Sequence, residues 1–206
     1  NLIMKLTILG SSASTPKVNK YTTSQLLKIR NHHILIDCGE GIQMQLRKLK
    51  INFSKISHIF ISHLHGDHYF GLIGLISTFR LLGRDSDLNI YGPEGLREVI
   101  NMQLKLSCSW LNYKVTFHTL KSKSQKIIFN NQDFTVKTIP LNHRIYTNGF
   151  LFEEKFYERN VNKSKIKEYN LKVDDIKKVK NGGDFFLKDG TKIENSFFLR
   201  APKKSK

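Results

Sequence analysis

Six consecutive residues, His63-Leu64-His65-Gly66-Asp67-His68, hold three imidazoles and one carboxylate directly after the apolar run Ile59-Phe60-Ile61. Such density at the exit of a buried strand is the pattern of a metal site. His63 and His65 are two apart, so in an extended turn they point the same way. Gly66 lets the backbone reverse and set Asp67 and His68 beside them as a second cluster. Two nitrogen-rich clusters a few ångströms apart are what a pair of Zn²⁺ ions requires, and a metal pair activates water for hydrolysis. The alternative is a polar turn whose histidines serve loop carbonyls, which leaves the density unexplained.

Two other places offer chemistry to this cluster. Asp37-Cys38-Gly39-Glu40-Gly41 ends the strand Ile34-Leu35-Ile36. An acid leaving a strand beside a metal site can hold a ligand imidazole through its other ring nitrogen, fixing tautomer and direction. Asp37 is the candidate for that role, while Glu40 serves equally as a helix cap, and the motif by itself also reads as a plain turn. His143 follows the strand read over 134–139, and strand ends line sites in layered α/β folds. A lone histidine there is surface or capping; beside the His63–His68 cluster it is a candidate ligand. His32, His33, His58 and His118 are expected at loops or strand edges as plain polar residues without carboxylate companions.

Behind these residues short β-rich runs alternate with helical ones. Strands are predicted over 5–9, 24–29, 34–36, 56–62, 88–91, 115–120, 126–129 and 134–139. Ile42, Leu46 and Leu49 share one face of a short helix beginning near Glu40. Tyr69 to Leu82 reads as one mostly buried helix, and Glu94 to Leu106 as an amphipathic helix with Glu94 at its positive end. After Glu153 charge becomes dense through Lys180. A hairpin is predicted with strands at 185–187 and 192–193, and a last strand at 197–199. The ordering suits a layered α/β domain with helices outside β-sheets.

A chain of 206 residues, 39% hydrophobic, is ample for a core. No apolar run approaches the roughly 20 residues that span a bilayer, so no membrane partner is expected. Met4 to Leu9 imitates a signal peptide but is too short and flows into Gly10-Ser11-Ser12, as a first strand would. Two distant cysteines, Cys38 and Cys108, read as reduced thiols in a cytoplasmic protein. The formal charge of +17 points to a polyanionic partner, RNA or DNA first. It also fits a compositional bias in which Lys greatly outnumbers Arg.

Together, Ser62 to His68, the glycine-bounded acid after the third strand and His143 resemble the metallo-β-lactamase superfamily, whose fold is an αββα sandwich. Within it, Asp37 to Gly41 followed by Gln43, Gly71-Leu72, and Asn142-His143-Arg144 resemble the ribonuclease Z family of tRNA 3′-processing endonucleases. The resemblance runs from about Met4 to the tail. It implies that His63, His65 and His143 bind one zinc and that Asp67 and His68 bind a second, with Asp67 also the proton acceptor. It further implies a precursor tRNA substrate, a 3′-hydroxyl on the tRNA, a 5′-phosphate on the trailer, and a homodimer.

The sequence departs from that family in two respects. The family takes a bridging aspartate and further histidines from later motifs, yet no histidine follows His143 and the chain stops after Ala201-Pro202-Lys203-Lys204. Residues 1–206 are therefore expected to form an incomplete metallo-β-lactamase-like domain, inactive as an isolated polypeptide. The loop after the first strand has Pro16 and then Lys20-Tyr21-Thr22 where the family carries Arg-Asn. Lys20 can meet a phosphate only as a point charge, without the fork of Arg. Residues 153–180 occupy the place of the family's tRNA-gripping arm, with Lys177, Lys178 and Lys180 among its candidate RNA-binding residues. The other reading of that segment is a solvated charged face. The remaining functional alternatives are another phosphodiesterase or hydrolase of this fold, or a non-catalytic RNA-binding fragment.

Overall fold

The computed structural model describes residues 4–15, 17–155 and 160–200; Pro16 and Ala201–Lys206 lie outside the described residues. The chain divides into two compact units, Asn1–Lys155 and Phe156–Lys206.

The first unit is built on a six-stranded sheet in the order β1-β2-β3-β4-β5-β6. Its strands are β1 (Met4–Gly10), β2 (Ser24–Ile29), β3 (His32–Ile36), β4 (Ile56–Phe60), β5 (Leu88–Pro93) and β6 (Val115–Leu120). β1, β2 and β3 pair antiparallel, and β3 through β6 pair parallel. Parallel neighbours need crossovers. Three helices supply them: α1 (Ile42–Lys48), α3 (Leu72–Leu81) and α4 (Leu96–Leu106), with the four-residue α2 (Gly66–Tyr69) ahead of α3. A second sheet consists of β7 (Ile127–Asn130), β8 (Phe134–Pro140) and β9 (Asn148–Glu154) in the order β7-β8-β9.

Strand parity decides what lies on each face. Leu26, Leu35, Ile59, Ile61 and Ile90 turn one way and pack with Ile42, Leu46, Leu72, Leu75, Ile76, Phe79, Leu96 and Ile100 from the helices. Leu27, Ile29, Ile34, Phe60 and Tyr91 turn the other way and meet Phe134 and Val136, with Phe129, Phe150 and Phe152 against them. The Phe60 ring stacks on Tyr91 at 4.4 Å between centroids and meets Phe152 edge-on at 5.4 Å. β4 reads as a continuous apolar run at Ile59-Phe60-Ile61 because it is buried on both faces.

Four expectations about elements need correction. The helix read over 69–82 is broken into α2 and α3. The Gly71 N–H donates to the Cys38 carbonyl at 2.9 Å, and a Cβ at Gly71 would stand 2.1 Å from the Gly39 carbonyl oxygen. The chain is docked there against the Asp37–Gly41 turn. α4 starts only after Gly95, whose φ of 92° is left-handed, so Glu94 lies in the preceding turn and Glu98 is the acid of the first helical turn. The strand read at 197–199 is a short helix, α7 (Asn195–Phe198), with Leu199 alone in a bridge to Val161. The buried Phe198 ring is drawn into the small core of that unit. Leu49 caps α1 and is exposed, off the buried face.

The second unit holds α5 (Lys163–Glu168), α6 (Val173–Lys180), the hairpin β10 (Phe185–Phe186) and β11 (Lys192–Ile193), and α7. Its core is Val161, Leu171, Val179 and Phe198, with Ile166, Tyr169, Ile176, Phe185 and Ile193 packed around. Glu153 and Glu154 end β9 in the first unit, while residues 160–180 belong to the second. Among the described residues, no helix is long and apolar enough to cross a membrane.

The four histidines set aside above are structural, and His32 does have a carboxylate companion. Its Nε2 lies 2.6 Å from Asp133 Oδ2, while the neighbouring Arg30 Nε donates to Glu154 Oε1 at 2.9 Å. The β2–β3 turn is thereby tied to the second sheet. His58 sits edge-on to Phe129 and stacked over Tyr91, with burial pushing it down to about 4; His33, also buried, is likewise lowered to about 4. In the unfolded chain these imidazoles protonate near pH 6.5, whereas in the fold they stay neutral until about pH 4. Stability is thus fully present above pH 6.5 and is lost as pH falls from there toward 4, by roughly 3 kcal/mol per group at most. Chelator-treated protein should show a falling melting temperature between pH 6.5 and 4.5, and His58→Gln should flatten that slope. An unchanged slope in the variant would remove His58 from the account.

Candidate metal centre

The cluster stands where β4 leaves the sheet. Ile61 N–H donates to the Tyr91 carbonyl at 2.7 Å, continuing the strand before Ser62 turns away. His63 is buried, His65 is half-buried, and His143 arrives exposed on the turn between β8 and β9. That turn is closed by Leu141 N–H to the Thr147 carbonyl at 3.0 Å and fixed to the strand end by Asn148 N–H to the Ser62 carbonyl at 3.1 Å. One ring nitrogen from each of His63, His65 and His143 lies within 4.8 Å of the others. His143 Nε2 and His65 Nδ1 are 3.2 Å apart.

Asp67 and His68 stand together beside this triad. His68 Nε2 lies 3.5 Å from Asp67 Oδ2, and the His63 and His68 ring centroids are 4.0 Å apart. Gly66 achieves this by being small rather than by a reversed backbone. α2 starts directly at Gly66, and a Cβ there would lie 2.1 Å from the Phe70 ring.

Asp37 anchors the arrangement from β3. The residue has a φ of 56°, in the left-handed region that Asp tolerates better than most side chains. The residue is only 5% exposed, yet its carboxylate accepts three hydrogen bonds: from the Ser62 N–H at 2.8 Å, the Ser62 hydroxyl at 3.0 Å and His68 Nδ1 at 2.7 Å. Nδ1–H donation to Asp37 leaves His68 Nε2, the nitrogen facing Asp67, with its lone pair. Ser62, which the sequence reading included only as the start of the cluster, is therefore a hub; its hydroxyl also lies 2.9 Å from His63 Nδ1. A serine between an apolar strand and a histidine carries no composition signal of such a role.

The electrostatics suit a cation. Burial first, then the neighbouring His68, pushes His63 down to about 4, so its ring is neutral near pH 7 with a lone pair to offer. Burial alone would lower His68, but the hydrogen bond and charge of Asp37, with Asp67, hold it above its ordinary value. Burial would raise Asp67, but the Ser14 N–H donating to Oδ2 at 2.9 Å and the charge of His68 hold it below the usual carboxylate range. A neutral His63 imidazole and an ionised carboxylate are donors that zinc takes, and a bound metal displaces the proton from a ligand histidine such as His68. The donor set fits a metal.

The site opens to an approximately 700 Å³ cleft also lined by Ser14, Thr22, Glu40, Phe70 and Arg144. Arg144 Nε lies 3.3 Å from His65 Nε2, a proximity to which the sequence reading gave no role. Lys20 is exposed on the tight 17–20 turn and does not line the cleft. Lys177 and Lys178 are exposed on α6 and Lys180 is half-buried there, all in the second unit.

A family model described as Anti-Pycsar protein Apyc1 matches residues 4–179. Curated relatives are named Ribonuclease Z: one from Bacteroides fragilis is 44% identical over 95% of this chain and 64% of its own length, and one from Cytophaga hutchinsonii is 48% identical over 90% and 59%. The crystal structure of human tRNase Z, short form, superposes with a TM-score of 0.67 at 33% identity over 72% of this chain and 64% of that one. The chain belongs to that matched family and to the ribonuclease Z group of the metallo-β-lactamase fold. A Bacillus subtilis metallo-β-lactamase fold protein, 20% identical with a TM-score of 0.55, shares the fold. The chain spans less than two thirds of the length of these ribonuclease Z relatives.

In this ribonuclease Z-like centre, Asp37 fixes the His68 tautomer from behind. Asp37→Asn should weaken zinc affinity about 10–100-fold, measured by competition with a chromophoric chelator, while leaving the far-UV spectrum unchanged. Equal affinity in variant and parent would exclude that role.

Proposed function

We propose that this chain carries the metal-binding part of a cytoplasmic endoribonuclease that removes the 3′ trailer from precursor tRNA. The expected products are a 3′-hydroxyl on the tRNA and a 5′-phosphate on the trailer. The observation that carries the reading is the convergence of three imidazoles within 4.8 Å, beside an ionised Asp67, in an open cleft. The likeness to human tRNase Z and to relatives named Ribonuclease Z supports the substrate class.

His63, His65 and His143 are the residues proposed to hold one zinc, and Asp67 with His68 a second. When bound, a zinc pair lowers the pKa of a shared water from about 15.7 toward neutrality and stabilises charge on phosphate oxygens. The remaining work belongs to the protein's own groups. Asp67, kept ionised by the Ser14 N–H, accepts a proton at its carboxylate. Asp37 holds His68 in one tautomer. Arg144 stands at the cleft with five N–H donors suited to a phosphate. Lys20, and Lys177, Lys178 and Lys180 within the proposed arm 153–180, meet the RNA backbone as point charges, and the assembly is proposed as a homodimer.

A second reading is a phosphodiesterase of the same fold acting on small substrates, since the matched family model carries a name other than ribonuclease Z. The two readings separate on substrate. Full-length, zinc-loaded protein should cleave a 3′-extended precursor tRNA with a far higher kcat/KM than bis(p-nitrophenyl) phosphate. Charge reversal at Lys177 and Lys178 should raise KM for the tRNA about tenfold and spare the small ester. Preference for the small ester, or equal loss on both, would favour the second reading.

Asp67 and His68 alone give the second position two donors where zinc takes about four. The isolated 206-residue polypeptide is therefore expected to bind fewer than two zinc ions per chain and to turn over neither substrate. Metal analysis showing two tightly held zincs together with turnover would overturn this.

A further inference from the structure

The loop from Lys121 to Lys126, between β6 and β7, has no role in the centre just described. It carries Lys121, Lys123 and Lys126 within six residues, all exposed, and among the described residues none of the three ammonium groups has an ion-pair partner. Unpaired cations crowded on one loop repel each other, and the fold does nothing to neutralise them.

The sheet puts this loop on the edge that holds the metal centre. β6 runs parallel to β5, and β5 to β4, so the end of β6 at Leu120 and the end of β4 that leads to His63 face the same way. Two strand spacings separate them, about 10 Å. The loop is also held in shape. Ser124 N–H donates to the Ser122 hydroxyl oxygen at 3.2 Å, and the Ser122 hydroxyl reaches the Ser124 carbonyl at 3.1 Å. A strut then joins it to the site: the Tyr146 hydroxyl donates to the Ser122 carbonyl at 3.1 Å, and Tyr146 belongs to the same turn as His143 and Arg144. The loop backbone that carries the lysines is therefore held relative to the turn of His143 and of the arginine at the cleft.

We propose that the Lys121–Lys126 loop is a phosphate-binding rail that holds the backbone of the nucleic-acid substrate on one side of the cleft, with Arg144 continuing it to the centre. This deepens the endoribonuclease reading and rests on the substrate being a nucleic acid. Lysine suits the task because a backbone rail needs point charges without base recognition. Glu94, after β5, is the acid on this edge between the loop and the cluster, so the RNA path runs by way of the Arg144 turn instead of directly across the strand ends.

The test is the salt dependence of affinity for fluorescently labelled precursor tRNA, read by anisotropy on the full-length protein. Each lysine lost from a phosphate contact lowers the slope of log K against log salt by about 0.7–0.9. The double variant Lys121→Ser, Lys123→Ser should lower it by about 1.5. The control, Lys48→Ser with Lys50→Ser, removes the same charge at the far end of α1 and should leave the slope unchanged. An unaltered slope in the loop variant, or an equal fall in the control, would overturn the rail while leaving the endoribonuclease reading intact. A parent protein with no salt-dependent RNA affinity would overturn both.

Discussion

A buried, charged aspartate at the end of a strand is the constraint around which this molecule is organised. Asp37 is nearly out of solvent, and an ionised carboxylate there is tolerable only if its lone pairs are filled. They are filled by Ser62 and His68, which reach it from the end of β4 and from α2. Satisfying one acid therefore fixes three separate stretches of chain. It pins β3 to β4 at the sheet edge, sets the entry of the His63–His68 turn, and selects which nitrogen of His68 faces the cleft. Cys38 N–H to the His68 carbonyl at 2.7 Å and Gly71 N–H to the Cys38 carbonyl add backbone bonds to the same junction.

That junction can be rigid because the strands beneath it are buried on both faces. β4 lies between helices and the second sheet, and its Phe60 is packed by three aromatic rings. Close packing of this kind has few alternative arrangements, so a side chain leaving the strand end is aimed with little freedom. The polar groups of the centre are thereby preorganised before any ligand arrives, which is what the proposed hydrolytic chemistry demands. The histidines at 32, 33, 58 and 118 belong to this scaffold instead of the site.

Much of the scaffold was legible in the chain. The strands through β8 are marked by alternating or continuous apolar runs, and the parallel part of the sheet by helices between them. Where the reading failed, tertiary contacts overrode local pattern. Tyr69 to Leu82 has unbroken helical apolarity, yet docking of Gly71 against Gly39 splits it. Phe197-Phe198-Leu199 looks like a strand by composition, yet burial of Phe198 in a small core curls it into a helical turn. The charged stretch after Glu153 concealed α5 and α6, because both are short and their few apolar residues, among them Ile166, Ile176 and Val179, stand among many lysines.

The sequence by itself determined the donor chemistry: His63, His65, Asp67 and His68 are neighbours in the chain, and covalent proximity alone keeps them together. It also determined the alternation of faces that makes a layered sheet, since side-chain period is a local property. Only the tertiary structure decided that His143, 78 residues beyond His65, closes the triad, and that Ser62 and Ser14 hold the carboxylates on either side. It also joined the basic 121–126 loop to the site through Tyr146. These are meetings between residues far apart in the chain, and no spacing in the sequence encodes them. They follow from strand register and from the need of buried polar groups for partners, which are settled only when the sheets close over the core.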